Sequence, residues 1–234
     1  MNQHGFKNKI LRLLDADVIL RLQLTPLQLP GGLEIENPGE PTRNLVFIED
    51  GIGSMTATFG DGFQVEVGMF GVESVMGASA LIGTRRSLNK VYMQLGGYGF
   101  SCPMSEAISE FARAGRFQEL VLRYVQAQLI QTSQSAGCNS HHQVPQRLSR
   151  WLLLCADRSE SNVMELTQEY LADMLGVVRS SVSLAAEGLQ REGLIQYSRG
   201  KVTVLDRSGL ERRACECYRV VRDHLDNYLE VKQD

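Results

Sequence analysis

The sequence lacks any apolar run approaching the roughly 18 residues that a membrane-spanning helix needs. Its start, Met1 to Ile10, carries lysines but no unbroken apolar stretch followed by a small-residue cleavage site. Both absences point to a soluble, cytoplasmic protein with no membrane partner. The five cysteines, Cys102, Cys138, Cys155, Cys215 and Cys217, are odd in number and irregularly spaced. A secreted disulfide scaffold is therefore excluded, and reduced thiols are expected. There is no N-terminal group of cysteines to hold an iron–sulfur cluster. Nor is there a strand-borne G-x-G-x-x-G, a P-loop, an H-E-x-x-H or a G-x-S-x-G, so an enzyme is not expected. A net charge of -3 gives the whole chain no electrostatic signature of nucleic-acid binding, and any such function must rest on a local patch.

What remains is a chain of 234 residues with 43% hydrophobic content, enough for one domain with appendages or for two small ones. From Leu24 to Cys102 glycines punctuate short apolar stretches: Asn44-Leu-Val-Phe-Ile48, Gly53-Ser-Met-Thr-Ala-Thr-Phe59 and Phe63-Gln-Val-Glu-Val67. With Asp50-Gly51 and Asp61-Gly62 as turns, these read as an antiparallel sandwich or roll, with Leu13 to Leu24 a helix or turn outside it.

After Pro103 the pattern becomes helical. Gly115 divides a short helix from a longer one whose broad apolar stripe either lies across the roll or pairs with its copy in a second chain, or does both; Phe117, Leu120, Val121, Tyr124, Val125 and Gln128 are the expected contact with that second copy. Ser135-Ala-Gly-Cys-Asn-Ser-His-His142 is small, polar and aperiodic and reads as a linker. Behind it Pro145 suits the first turn of a helix whose Leu148, Trp151, Leu152 and Cys155 form one face. The expected divisions are residues 1–102 for the roll, 103–136 for the connecting helices and 137–234 for a C-terminal domain.

That domain carries the most informative stretch. Thr167 caps a short helix with Leu171, Met174 and Leu175 inward, and Gly176 supplies a turn position free to take positive φ. The next helix buries Val182, Ala185, Ala186 and Leu189 and presents Arg179, Ser180, Ser183 and Glu187. Gly193 ends it, and Leu194 to Tyr197 with Lys201 to Leu205 form a hairpin around Ser198-Arg199-Gly200. Short side chains let a helix approach bases closely, and an arginine can donate to a guanine edge or a phosphate. Between Gly176 and Thr203, Arg179, Arg191, Arg199 and Lys201 outnumber Glu187 and Glu192 by two charges. So modest a patch calls for two copies acting together.

Thr167 to Asp206 closely resembles the winged helix-turn-helix of the Crp/Fnr superfamily of bacterial transcription regulators, above all in Leu175-Gly-Val-Val-Arg-Ser-Ser-Val182 and Leu189-Gln-Arg-Glu-Gly-Leu-Ile195. Gly51, Asp61-Gly62 and Val67-Gly-Met-Phe-Gly71 carry a weaker match over the roll. The resemblance implies an α+β fold: an N-terminal antiparallel β-roll of the cupin-like jelly-roll kind, a long dimerisation helix and a C-terminal winged helix-turn-helix. It implies double-stranded DNA as partner, a homodimer on two half-sites, and RNA polymerase and a small-molecule effector as further candidate partners. Arg179 falls where the family presents its first base-contacting arginine, so Arg179, Ser180 and Ser183 are the expected base readers. Thr167, Ser181, Arg199 and Lys201 are assigned to the DNA backbone. Ser180 stands where the cyclic-AMP receptor type often has Glu, and Leu184 where it has an arginine, so that receptor's operator is not expected. The alternative is an interaction module that keeps this fold without reading DNA.

Gly71, Glu73, Arg85, Arg86 and Ser87 are the candidate effector site. Arg86-Ser87 resembles the family's phosphate-holding pair, but ten residues earlier stands Met76, and the nearest glutamate is Glu73. The ribose-binding carboxylate thus has no candidate. His4, His141 and His142 are expected to be solvated, and no cofactor or metal site is expected. Cys138 is the one candidate redox thiol. The final helix is expected to start on a Ser208-Gly-Leu-Glu211 capping box, and Cys215 and Cys217, two apart on that helix, to point away from each other.

Overall fold

The computed structural model describes residues 5–159, 161 and 163–230, so His4 lies outside the described residues. The chain divides into two compact units, one built from residues up to Met55, Met69–Leu129 and those from His224, the other from Thr56–Gly68 and Ile130–Asp223.

In the first unit a 3-10 turn at Leu11–Leu13 and helix α1 (Ala16–Arg21) precede the strands, as expected for this stretch. Asn8 anchors it: its Nδ2 donates to the carbonyls of Ile48 and Ser74 at 3.1 and 2.9 Å, while its Oδ1 accepts from the amides of Ile10 and Leu11. The strands are β1 (Thr25–Leu29), β2 (Glu34–Glu36), β3 (Asn44–Thr58), β4 (Gln64–Phe70), β5 (Val75–Met76) and, after the short helix α2 (Ser79–Ile82), β6 (Lys90–Pro103). They form one six-stranded sheet in the order β1-β6-β3-β4, with β2 on β6 and β5 on β3. The β1–β6, β2–β6 and β3–β5 pairings are antiparallel. Leu29, Leu45, Phe47, Ile48, Ile52, Val91 and Met93 fill the core.

Asp50-Gly51, expected to be a turn, lies inside the continuous strand β3. Gly51 takes φ 98°, and a Cβ there would stand 2.8 Å from the Leu95 carbonyl oxygen, so the glycine serves a close crossing of strands rather than a reversal. Asp61-Gly62 does reverse the chain between β3 and β4.

Helices α3 (Met104–Phe111) and α4 (Arg116–His141) follow, parted at Ala114-Gly115. Ala114, not Gly115, takes the left-handed conformation there. The expected linker at 135–142 is instead, as far as His141, the last turns of α4. Its small residues keep helical spacing because Ser135 and Cys138 are buried there, and burial outweighs their low helix propensity. The remaining elements are α5 (Val144–Ala156), β7 (Val163–Glu165), α6 (Gln168–Leu175), α7 (Arg179–Arg191), β8 (Ile195–Ser198), β9 (Lys201–Val204), α8 (Arg207–Arg213) and α9 (Cys217–Asn227). Pro145 sits in the first turn of α5, and Leu148, Trp151, Leu152 and Cys155 are buried.

The single final helix expected from the sequence is two. Asp206, not Ser208, caps α8 by accepting from the Gly209 amide at 2.9 Å. Ala214 is extended, which places Cys215 in a turn and Cys217 at the start of α9. No described helix is long and apolar enough to cross a membrane.

Candidate nucleic-acid interface

The second unit builds a surface from three chain segments. Helix α6 starts on Thr167, whose Oγ1 accepts from the Tyr170 amide at 3.1 Å. It stops at Gly176, at φ 60° and ψ 47°, where the amides of Val177 and Gly176 return to the carbonyls of Ala172 and Asp173. A side chain at Gly176 would also meet Val65 Cγ2 at 3.0 Å. Behind this corner the buried Arg147 guanidinium of α5 donates to the Leu175 carbonyl, setting a cation at the C-terminal end of α6. Burial pulls the Arg147 pKa below its ordinary value.

Helix α7 buries Val182, Ala185, Ala186 and Leu189 and exposes Arg179, Ser180, Leu184 and Glu187. It closes with the Leu194 and Gly193 amides on the Leu189 and Gln190 carbonyls. Strands β8 and β9 pair Ser198 with Lys201, leaving Arg199 and Gly200 as a two-residue turn with φ of 50° and 75°. Positive φ at both central residues is the geometry that suits the twist of a tight hairpin, and it projects the Arg199 side chain at the tip. A third strand that the sequence did not reveal, β7, pairs with β9 and brings Glu165 within 3.0 Å of Lys201 Nζ. At three residues it is too short for its alternation to be recognised.

Thr167, Gln168, Arg179, Tyr197, Arg199 and Gly200 line a concave cleft of about 330 Å³. Its floor is fixed by Tyr197, whose hydroxyl donates to the Leu166 carbonyl at 2.8 Å and whose amide donates to Gln190 Oε1 at 2.7 Å. Burial raises the Tyr197 pKa, and the Arg179 guanidinium partly opposes the rise. Ser183 does not sit free on the helix: its hydroxyl donates to Gln168 Oε1 at 2.7 Å. Ser181 is half-buried in the first turn of α7. Thus Thr167, Arg179 and Arg199 meet at one cleft, Ser180 stands on the exposed side of α7, and Ser183 links α7 to α6. The sequence reading missed Gln168 and Tyr197. Gln168 stands one position after the recognised cap, which was the only signal for it.

Residues 146–213 match the Crp-like helix-turn-helix domain family. Over 208 residues the chain is 26% identical to the CRP-like cAMP-activated global transcriptional regulator of Mycobacterium tuberculosis, covering 85% of this chain and 92% of that one. Among solved structures, a putative transcriptional regulator of the Crp/Fnr family from Eubacterium rectale superposes with a TM-score of 0.71 at 16% identity, covering 91% of this chain and 99% of that one. FixK2 from Bradyrhizobium japonicum superposes with a TM-score of 0.69 at 15% identity, covering 82% and 98%. Residues 146–213 are a Crp-like helix-turn-helix domain. That domain and the α+β fold shared with these regulators support DNA-binding transcription regulation.

The other residues singled out in the sequence lie as follows. Gly71 and Glu73 are in the β4–β5 turn, where the Gly71 amide donates to Ser74 Oγ at 3.1 Å and the Glu73 carbonyl takes the Tyr228 hydroxyl. Arg85 and Arg86 are exposed between α2 and β6, and Arg86 Nη1 donates to the Gly39 carbonyl at 2.6 Å. Ser87 is buried beside Glu36. Glu36, which the sequence reading passed over, accepts from the Gly77 amide at 3.0 Å and from Thr42 Oγ1 at 3.4 Å. Desolvation raises its pKa, against the opposing hydrogen bonds of Ser87, Gly77 and Thr42.

On α4, Phe117, Leu120, Val121 and Tyr124 are buried within the chain itself, because they face its own core. Val125 and Gln128 are half-buried. The exposed apolar positions on this part of the helix are Leu122 and Leu129. His142 is not solvated as expected: its side chain is 11% exposed. Nor do Cys215 and Cys217 diverge, since the turn before α9 turns both sulfurs toward Cys138 and His142. A hydrogen bond from the Cys215 thiol, together with the Arg150 charge, lowers the Cys138 pKa, while the same bond raises that of Cys215.

Proposed function

We propose that this chain regulates transcription as a homodimer that binds two half-sites of duplex DNA, with α7 in the major groove and the β8–β9 wing on the flanking backbone. The observation that carries the reading is the single cleft joining the first turns of α6 and α7 to the wing tip. Thr167 and Arg199 would hold phosphates there, Lys201 on the wing and Ser181 in the first turn of α7 would meet phosphates outside it, and Arg179 would reach from the cleft to a base edge. Ser180 and Leu184 lie one helical turn apart on the exposed side of α7. They supply a hydroxyl and an apolar surface suited to a thymine methyl. Ser183, engaged with Gln168, is a positioning residue in this reading.

The local charge surplus is small, and the Lys201–Glu165 pair at 3.0 Å reduces it further. One subunit would therefore bind weakly, and two copies are required for a stable complex. Leu122, Val125 and Leu129, spaced at three and four residues on α4, are the apolar line available to a second α4. Regulation through the roll is part of the proposal, with Gly71, Glu73, Arg85, Arg86 and Ser87 as the region to probe. A cyclic-nucleotide phosphate is disfavoured at Ser87, because the buried Glu36 carboxylate already lies against it.

Titration of labelled duplexes at several salt concentrations tests the division of roles. Arg179→Ala is expected to flatten preference among duplexes. Lys201→Ala is expected to weaken binding to all of them and reduce the salt slope by about one. Unchanged preference in Arg179→Ala would overturn the assignment of α7.

A further inference from the structure

Cys138, Cys215 and Cys217 are buried together, at 1%, 4% and 1% exposure, in the same compact unit as His142. Cys138 lies in the last turn of α4 and His142 just past its end, where the His142 amide still donates to the Cys138 carbonyl at 3.0 Å, so both face the same side. Cys215 lies in the α8–α9 turn and Cys217 opens α9, and the extended Ala214 before them breaks the helical spacing that would have set them apart. One ligand-capable atom from each of the four residues lies within 4.8 Å of all the others.

We propose that Cys138, His142, Cys215 and Cys217 bind a single zinc ion through three thiolates and one imidazole nitrogen. Tetrahedral zinc, with Zn–S near 2.3 Å and Zn–N near 2.0–2.1 Å, places neighbouring ligand atoms about 3.5–3.8 Å apart. Cys138 Sγ and Cys215 Sγ are 3.5 Å apart, and Cys217 Sγ and His142 Nδ1 are 3.6 Å apart, so two edges of that tetrahedron are already formed. Three soft sulfurs and an imidazole are a donor set for zinc rather than for calcium or magnesium, which take oxygen.

The surroundings supply what such a site needs beyond its ligands. His142 Nε2 is 3.3 Å from Glu216 Oε2, which orients the ring with Nδ1 toward the sulfurs. Gln134 Nε2 donates to Cys217 Sγ at 3.0 Å. Three thiolates around a dication leave one net negative charge, and the buried Arg147 and Arg150 guanidiniums face Cys138 and Cys215. Among the described residues neither arginine forms an ion pair with a carboxylate, and the Nε of each has no hydrogen-bond partner. A disulfide between Cys138 and Cys215 would leave Cys217, His142 and their supporting bonds without purpose. A multi-iron cluster distributes its ligands over several irons rather than around one point. With four protein ligands the zinc would be structural, clipping the α8–α9 turn to the end of α4 across 77 residues of chain.

The test is elemental analysis of the full chain, purified under thiol protection without chelator, followed by replacement of the metal with cobalt(II). About one zinc per chain is expected, and the cobalt form should show thiolate-to-metal absorption and tetrahedral d–d bands. Cys217→Ser and His142→Ala should lose most of the metal while keeping the wild-type far-ultraviolet circular dichroism, and Cys102→Ser, outside the cluster, should keep it all. Should the variants misfold, the wild-type cobalt spectrum decides alone. Metal-free protein that takes up no cobalt(II) under reducing conditions would overturn the proposal. So would iron with acid-labile sulfide, or a Cys138–Cys215 disulfide in protein from a reducing cytosol.

Discussion

Ser183 Oγ donates to Gln168 Oε1 at 2.7 Å, tying the exposed helix α7 to the first turn of α6. The Arg179 carbonyl also lies 3.2 Å from the serine oxygen, and of the two acceptors Gln168 is the nearer to the serine's one hydroxyl proton. The bond to Oε1 leaves the amide nitrogen of Gln168 available at the cleft. Ser183→Ala is expected to weaken binding to all duplexes several-fold with base preference retained, and to cost about 1 kcal/mol of stability. Leu184→Ala should instead change preference at thymine-bearing positions and leave stability within about 0.5 kcal/mol. Selection from randomised duplexes, paired with thermal denaturation, separates the two outcomes.

Arg199 occupies the left-handed region at φ 50°. Asparagine accepts that conformation more readily, so Arg199→Asn should keep or slightly raise the melting temperature while removing the wing cation. Binding to every duplex is expected to weaken, with a shallower salt dependence. Retention of the wild-type salt slope would remove Arg199 from the phosphate contacts.

Gly176→Ala should destabilise the second unit by about 1–2 kcal/mol, the cost of a left-handed alanine. The close approach to Val65 Cγ2 at 3.0 Å adds to it. Urea denaturation measures this, and a variant as stable as wild type would mean that the corner adjusts freely.

Burial holds the Glu36 pKa above its ordinary value of 4.5. The folded state therefore keeps a proton that the unfolded state releases, and stability falls as pH rises through the folded pKa. Glu36→Gln keeps an acceptor oxygen for the Gly77 amide and removes the charge. Its melting temperature should equal or exceed wild type at pH 7, with the gap closing as pH is lowered toward 4.5. A large loss at pH 7 would show that the carboxylate's hydrogen bonds outweigh its desolvation.

The winged domain was readable because its signals are local. Thr167, Gly176, Gly193 and the Val182, Ala185, Ala186 and Leu189 stripe each act within a turn or two of chain, and each lies as expected. What the sequence concealed depends on distant segments. Ser135 to His142 looks like a linker until burial holds it helical as far as His141. Glu36 gains its role only from Gly77 and Thr42, and Cys138 meets Cys215 only after 77 residues. On α4, one apolar stripe can serve either a core or a partner, and periodicity does not distinguish them. Burial assigns Phe117, Leu120, Val121 and Tyr124 to the core.

The central claim is that two copies of α7 read one site together. The most direct measurement is selection of bound sequences from a random duplex pool by the full chain, followed by the mass of the complex on the winning duplex. The account predicts an inverted repeat with half-site centres about one helical turn, or a multiple of it, apart, bound by two chains, and loss of that enrichment in Arg179→Ala. Enrichment of no sequence, or of a single half-site bound by one chain, would contradict it.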